Sequence, residues 1–103
     1  MGYGNLAKMA QQMQAEMARV QEEIAALSLE GSAGGGAVTA VVNGSGEVVS
    51  IAIDKEVVDP DDVEMLQDLI TAAVNDGVHK IKEVSAQKMS RVTGGLQIPG
   101  LLG

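Results

Sequence analysis

The tightest constraint on this chain is a pair of long helix-patterned segments that fence a short, glycine-punctuated run of strand-forming residues. In the first segment Leu6, Met13, Val20 and Leu27 recur every seven residues, with Ala10, Met17 and Ile24 each four residues further on, which is a heptad stripe. In the second, Val63, Leu66, Ile70, Val74, Gly77, Ile81, Val84 and Val92 follow one face at about 100° per residue. A helix of about 23 residues is ~35 Å long, whereas a compact domain of this length has a radius of gyration of only ~13 Å. One copy cannot cover its own helices. The first stripe therefore predicts a symmetric, elongated dimer, with Leu6, Met13, Met17, Val20, Ile24 and Leu27 at the interface.

Local signals fill in the order of elements. The first helix is predicted over residues 6–27, capped by Asn5, with Gln11, Gln12, Gln14, Gln21 and Glu22 on its outer face. Residues 29–33 read as a short strand, Gly34-Gly35-Gly36 as a turn, and the β-branched run at 37–42 as a second strand. Asn43-Gly44-Ser45-Gly46 is a strong hairpin signal, because Asn and Gly tolerate the positive φ of tight turns. A third strand follows at 47–53, with Val49, Ile51 and Ile53 on one face and Val48, Ser50 and Ala52 on the other.

The second helix has Asp59 as its expected cap, Pro60 at its first position, acids Asp61, Asp62 and Glu64 in its first turn, and Gly94-Gly95 as its stop. Past Ser85 its stripe accepts Lys88, so the helix is expected to leave the core there. Gly77 inside the stripe costs ~1 kcal/mol relative to Ala; it marks either a close approach of another backbone or tolerated flexibility. The predicted fold class is α+β: an α-β-β-β-α protomer with a three-stranded antiparallel sheet flanked by two long helices. Such a sheet has two edges and must bury a face. The helices should cover one side, with a partner against the other side or along an edge. The whole of 1–103 reads as one domain, with 96–103 a flexible or partner-packed tail.

Composition removes several kinds of function. With one tyrosine, no Phe and no Trp, base stacking on aromatic rings is nearly excluded, Tyr3 being the single candidate. Without cysteine there is no disulfide framework, zinc knuckle or thiol nucleophile, which fits a cytosolic protein. Apolar runs are too short to span a bilayer and no secretory leader pattern is present. Leu6 stands where an N-terminal acylation signal needs Ser or Thr.

No catalytic constellation emerges either. His79 is the only histidine and has no spaced metal-ligating partner. The stretch GSAGGG precedes a strand and lacks the Gly-Lys-Ser/Thr of a phosphate loop. Asp59, Asp61 and Asp62 lack the ligand spacing of a calcium loop, and nothing apolar surrounds Asp54, Glu56 and Asp59 to perturb them. The sequence thus predicts no enzyme, metal site, cofactor, small-molecule substrate or membrane partner.

A formal charge of -7 repels nucleic acid and anionic lipid at long range. The charge is uneven, however. Residues 77–92 hold Lys80, Lys82, Lys88 and Arg91 against Glu83 alone, while 54–68 hold seven acids and one lysine. Lys80 and Arg91 fall on almost one flank of the helix, ~16 Å apart along its axis, a spacing suited to successive phosphates. The other reading is that these cations offset the helix dipole while Lys80 pairs with Asp76. Lys8 and Arg19 lie eleven residues apart on the first helix, with Glu16 between them. Met9, Met13 and Met17 suit either core and dimer packing or an adaptable partner groove.

The strings VVNGSGEVVSIAID, DPDDVEMLQDLITAAVNDG and QKMSRVTGG, with the opening NLAKMAQQMQAEMARVQEEIAAL and the ending LQIPGLLG, together resemble the YbaB/EbfC family of bacterial nucleoid-associated proteins across essentially the whole chain. That resemblance implies an intertwined homodimer whose helices project from a shared sheet body like tweezers. It implies double-stranded DNA as the partner, bound with little sequence preference and altered in conformation, with roles in nucleoid organisation and gene regulation in the bacterial cytoplasm. Carried onto this chain, the DNA-facing candidates are Lys8 and Arg19 on the first helix and Lys80, Lys82, Lys88 and Arg91 on the second. The rival reading is a dimeric interaction module that docks a partner protein without DNA.

Overall fold

The computed structural model describes residues 2–94. The order is α1 (Gly2–Ala25), β1 (Ser28–Ala33), β2 (Val38–Asn43), β3 (Val48–Ile53), a single 3-10 turn (Lys55–Val57) and α2 (Val63–Gly94). The expected α-β-β-β-α protomer is what is found, with one antiparallel sheet in the order β1-β2-β3. Strand ends lie within a residue of those read from the sequence. Gly95 and the tail at 96–103 lie outside the described residues.

Two turns fix the sheet. Gly34, Gly35 and Gly36 all take positive φ (64°, 68° and 93°) between β1 and β2, a backbone that residues with a Cβ adopt only at a cost. Between β2 and β3 the Asn43 side-chain oxygen accepts from the Ser45 and Glu47 N–H groups, each at 3.0 Å, so the hairpin loop is tied by its own first residue.

The register corrects the sequence reading of β3. Val41 pairs with Ser50 but Val42 pairs with Val48, leaving Val49 as an extra residue in a β-bulge. Residues directly opposite share a face, and Ile53, Ile51 and Val48 stand opposite Val38, Ala40 and Val42. Val48, rather than Val49, therefore shares a face with Ile51 and Ile53. A bulge changes the alternation at one point, and period-2 counting carries no sign of it.

Val38, Ala40 and Val42 are fully buried, and Val38 and Ala40 form with Ala73 a core against which Leu66, Leu69, Ile70 and Val74 of α2 pack. α2 lies across β1 and β2. The close approach expected at Gly77 is real: a Cβ at Gly31 of β1 would collide with the Gly77 nitrogen and the Ala73 carbonyl oxygen. A Cβ at Gly77 would stand 2.7 Å from Val42 Cγ2. β3 is left uncovered. Val48, Val49, Ile51 and Ile53 are 38% to 61% exposed, so an edge strand with an apolar surface faces solvent in the single chain.

The helix termini need two corrections. α1 extends back to Gly2, so Asn5 lies inside the helix rather than capping it; no proline or rival cap stands in the way, and extension adds one hydrogen bond per residue fixed. At α2, Asp59 accepts from Asp61 N–H through its side chain and from Asp62 N–H through its carbonyl, closing a turn that holds Pro60. Asp62 is then the cap, its Oδ1 accepting from the Met65 N–H at 3.2 Å. Of the three neighbouring acids the last takes the role, because Asp59 closes the turn before it.

Past Ser85 no described residue of α2 is buried, as expected of a helix leaving the core. Before that point Ile81 is buried, and Val20 of α1 is too, at 4% and 3% exposure, and beyond it Lys88 turns toward α1 rather than solvent. The molecule is long, with extents of 74 × 28 × 16 Å and a Cα radius of gyration of 20.2 Å. Among the described residues no helix is long and apolar enough to cross a membrane.

Candidate nucleic-acid interface

α1 and α2 project beyond the sheet as two arms, and a cleft of 430 Å³ lies between them. It is lined by apolar Met9, Met13, Val20 and Val92 and by charged Glu16, Arg19, Glu23, Lys88 and Arg91. Three of the six cations singled out in the sequence, Arg19, Lys88 and Arg91, are thereby brought together from residues 72 positions apart. Only the packing of one helix on the other could do this.

The cations differ in how they are held. Arg19 is pinned along its own helix by Glu16 and, at 2.9 Å, by Glu23, at the (i, i+3) and (i, i+4) spacings where helical side chains meet. Its guanidinium holds the Glu16 carboxyl below the usual carboxylate range through a side-chain hydrogen bond, and Glu16 in turn raises Arg19. Lys88 donates to Glu23 at 3.4 Å across the two helices and is the least exposed of the paired cations, at 24% against 60% for Arg19. Arg91 lines the cleft and is exposed.

Lys80 is differently placed. It pairs with Asp76 at 3.3 Å and donates to the Glu30 carbonyl at 3.0 Å, so it ties α2 to β1. Asp76 also accepts from the Ser32 N–H at 2.9 Å. That backbone bond first, and Lys80 second, hold the Asp76 carboxyl below its ordinary range. The Asp76 pairing weighed in the sequence is therefore present, and Lys80 sits at the sheet rather than in the cleft. Lys8 and Lys82 are exposed, outside the cleft lining, and without an ion pair among the described residues.

The α1 stripe divides along its length. Leu6 and Met13 are exposed, at 62% and 40%; Met17, Ile24 and Leu27 are half-buried; and Val20 is closed inside the single chain. Val20 therefore offers no surface to a second copy, while β3 offers more than the sequence suggested. Glu16 and Glu23 are the site residues that sequence reasoning passed over. Their spacing from Arg19 signals the pairs on α1, but the Glu23 contact with Lys88 spans 65 residues and has no local signal.

The acidic residues weighed for chemistry have structural work. Asp54 Oδ1 accepts from the Glu56 N–H at the 3-10 turn, as Asp59 and Asp62 do at theirs. Among the described residues no group of three or more His, Cys, Asp or Glu could hold a metal ion.

Comparison with known proteins agrees with this architecture. A family model described as the YbaB/EbfC DNA-binding family matches residues 1–96. A protein of Syntrophobacter fumaroxidans named a nucleoid-associated protein is 60% identical over 89 residues, which are 86% of this chain and 81% of that one. One from Chloroflexus aurantiacus with the same name is 55% identical over 97 residues, covering 94% and 97%. Among solved structures, an uncharacterized protein from Helicobacter pylori superposes with a TM-score of 0.68 at 26% identity, covering 94% of this chain and 99% of that one.

Proposed function

Since the chain belongs to the YbaB/EbfC DNA-binding family and is a nucleoid-associated protein, we propose that it acts as a homodimer that grips double-stranded DNA between its helical arms. The observation that carries this reading is the convergence of Arg19, Lys88 and Arg91 on the cleft between α1 and α2. Lys8 and Lys82 add exposed cations on the same two helices. Guanidinium and ammonium groups lining a cleft of this kind meet phosphate oxygens, which position a duplex without reading its bases. Low sequence preference follows from that, as does action along the nucleoid, where a dimer with paired arms alters DNA conformation and thereby gene expression.

The exposed face of β3 supports the dimer. Apolar side chains on an uncovered edge strand are a template for a second chain, and a single domain with one such surface closes by twofold pairing. Affinity should be moderate, because the net charge opposes approach. With about four phosphate contacts, log affinity falls against log salt with a slope of about -3 to -4.

Gel shift of a duplex by the purified protein at ~50 and ~200 mM salt tests this, the lower concentration giving clearly tighter binding. Absence of a shift at both concentrations removes the reading, and salt-insensitive binding contradicts the phosphate mechanism. One observation favours a second reading: Met9 and Met13 line the cleft and are exposed, a surface that adapts to partner side chains. A protein partner retained after nuclease treatment supports that docking role.

A further inference from the structure

Two of the three cleft cations, Arg19 and Lys88, are already occupied by carboxylates whose only hydrogen-bonded or ion-paired partners among the described residues are those cations. Glu16 holds Arg19, and Glu23 bridges Arg19 on its own helix to Lys88 on the other. Neither carboxylate caps a helix or accepts a backbone N–H, in contrast to Asp76, which anchors β1 to α2 through Ser32. We propose that Glu16 and Glu23 are built-in competitors for phosphate, which hold Arg19 and Lys88 in the cleft and set DNA affinity low by having to be displaced. The inference rests on the DNA-binding reading and adds to it two residues that act against binding.

The physical case is one of like chemistry. A carboxylate and a phosphate oxygen present the same charge-assisted acceptor to a guanidinium or ammonium. Exposed ion pairs are weak, because water and salt screen them and two long side chains must be held still. Such pairs orient the cations yet yield to a polyanion with its dense array of charge. While they remain formed, the two carboxylates lie beside the path of the phosphates and repel them. The depressed Glu16 carboxyl and raised Arg19 agree with a pair that is ionised at neutral pH.

Glu23→Gln and Glu16→Gln test this in the full-length protein, with Glu22→Gln as control. The three changes remove the same charge from the same helix. Glu22 is exposed and holds no cation among the described residues. Glutamine keeps an acceptor oxygen for Lys88, and Glu16→Gln touches only a pair on the surface of α1, so both variants fold.

Equilibrium binding to duplex DNA is measured at ~50 and ~200 mM salt. Every additional phosphate that the protein neutralises raises the ratio of the affinities at those two concentrations by roughly threefold to fourfold. Glu23→Gln and Glu16→Gln should each bind more tightly than wild type at the lower salt, and raise the ratio of affinities at the two salts by about that factor, while Glu22→Gln stays close to wild type. Binding by the two variants no tighter than that of Glu22→Gln overturns the proposal while leaving DNA binding in place. No binding by wild type or any variant overturns the DNA reading and this inference with it.

Discussion

At the scale of single residues, Gly31 and Gly77 decide how closely β1 and α2 meet. They are not equivalent. A methyl at Gly31 runs into backbone atoms of Gly77 and Ala73, which move only if the helix moves away from the strand. At Gly77 it meets a side-chain methyl of Val42 at 2.7 Å, and the substitution adds ~1 kcal/mol of helix propensity in return. Gly31→Ala is therefore expected to cost about 3 kcal/mol, the upper end of overpacking penalties, and Gly77→Ala about 1 kcal/mol or less. Urea unfolding at one fixed protein concentration checks the order, since the stability of the proposed dimer would depend on concentration. Equal midpoints for the two variants would mean that the backbone contact is not what limits the packing.

At the scale of elements, the sequence carries what is local and loses what depends on two elements meeting. The heptad in α1, the Asn43-Gly44 turn and the apolar stripe of α2 are patterns within one segment, so their existence and order are legible. The bulge at Val49 is set by how Val41 and Val42 pair across the hairpin, and nothing in the string VVSIAI marks it. Asp59, Asp61 and Asp62 each satisfy the statistics of a cap, and only the turn around Pro60 selects Asp62. The candidate site follows the same division. Its cations are legible as a list, but the grouping of Arg19 with Lys88 and Arg91, and the exclusion of Lys80 to the sheet, come from the packing of α1 on α2. That grouping makes a prediction about the arms. Lys88→Glu combined with Arg91→Glu should lower duplex affinity at ~50 mM salt by at least about tenfold and leave the dimer intact, because β3 is untouched. Fluorescence anisotropy alongside sedimentation separates the two effects; unchanged affinity, or a shift to monomer, would move the site elsewhere.

At the scale of the molecule, shape and surface point the same way. A radius of gyration of 20.2 Å far exceeds the ~13 Å of a compact domain of this length, and 74 Å of length is supported by only 16 Å of thickness. The buried core is a small patch of valine and alanine with the flank of α2, while β3 and the outer end of α1 expose Val49, Ile51, Leu6 and Met9. In the proposed dimer a second copy covers those surfaces, doubles the number of arms and sets two cation clefts on one body, which offsets the net charge of -7 where DNA would be held. The proposed grip on DNA requires that pairing. Sedimentation equilibrium at micromolar concentration tests it most directly: the expected species has twice the 10.6 kDa of the single chain, and a folded species of 10.6 kDa that persists at that concentration would contradict it.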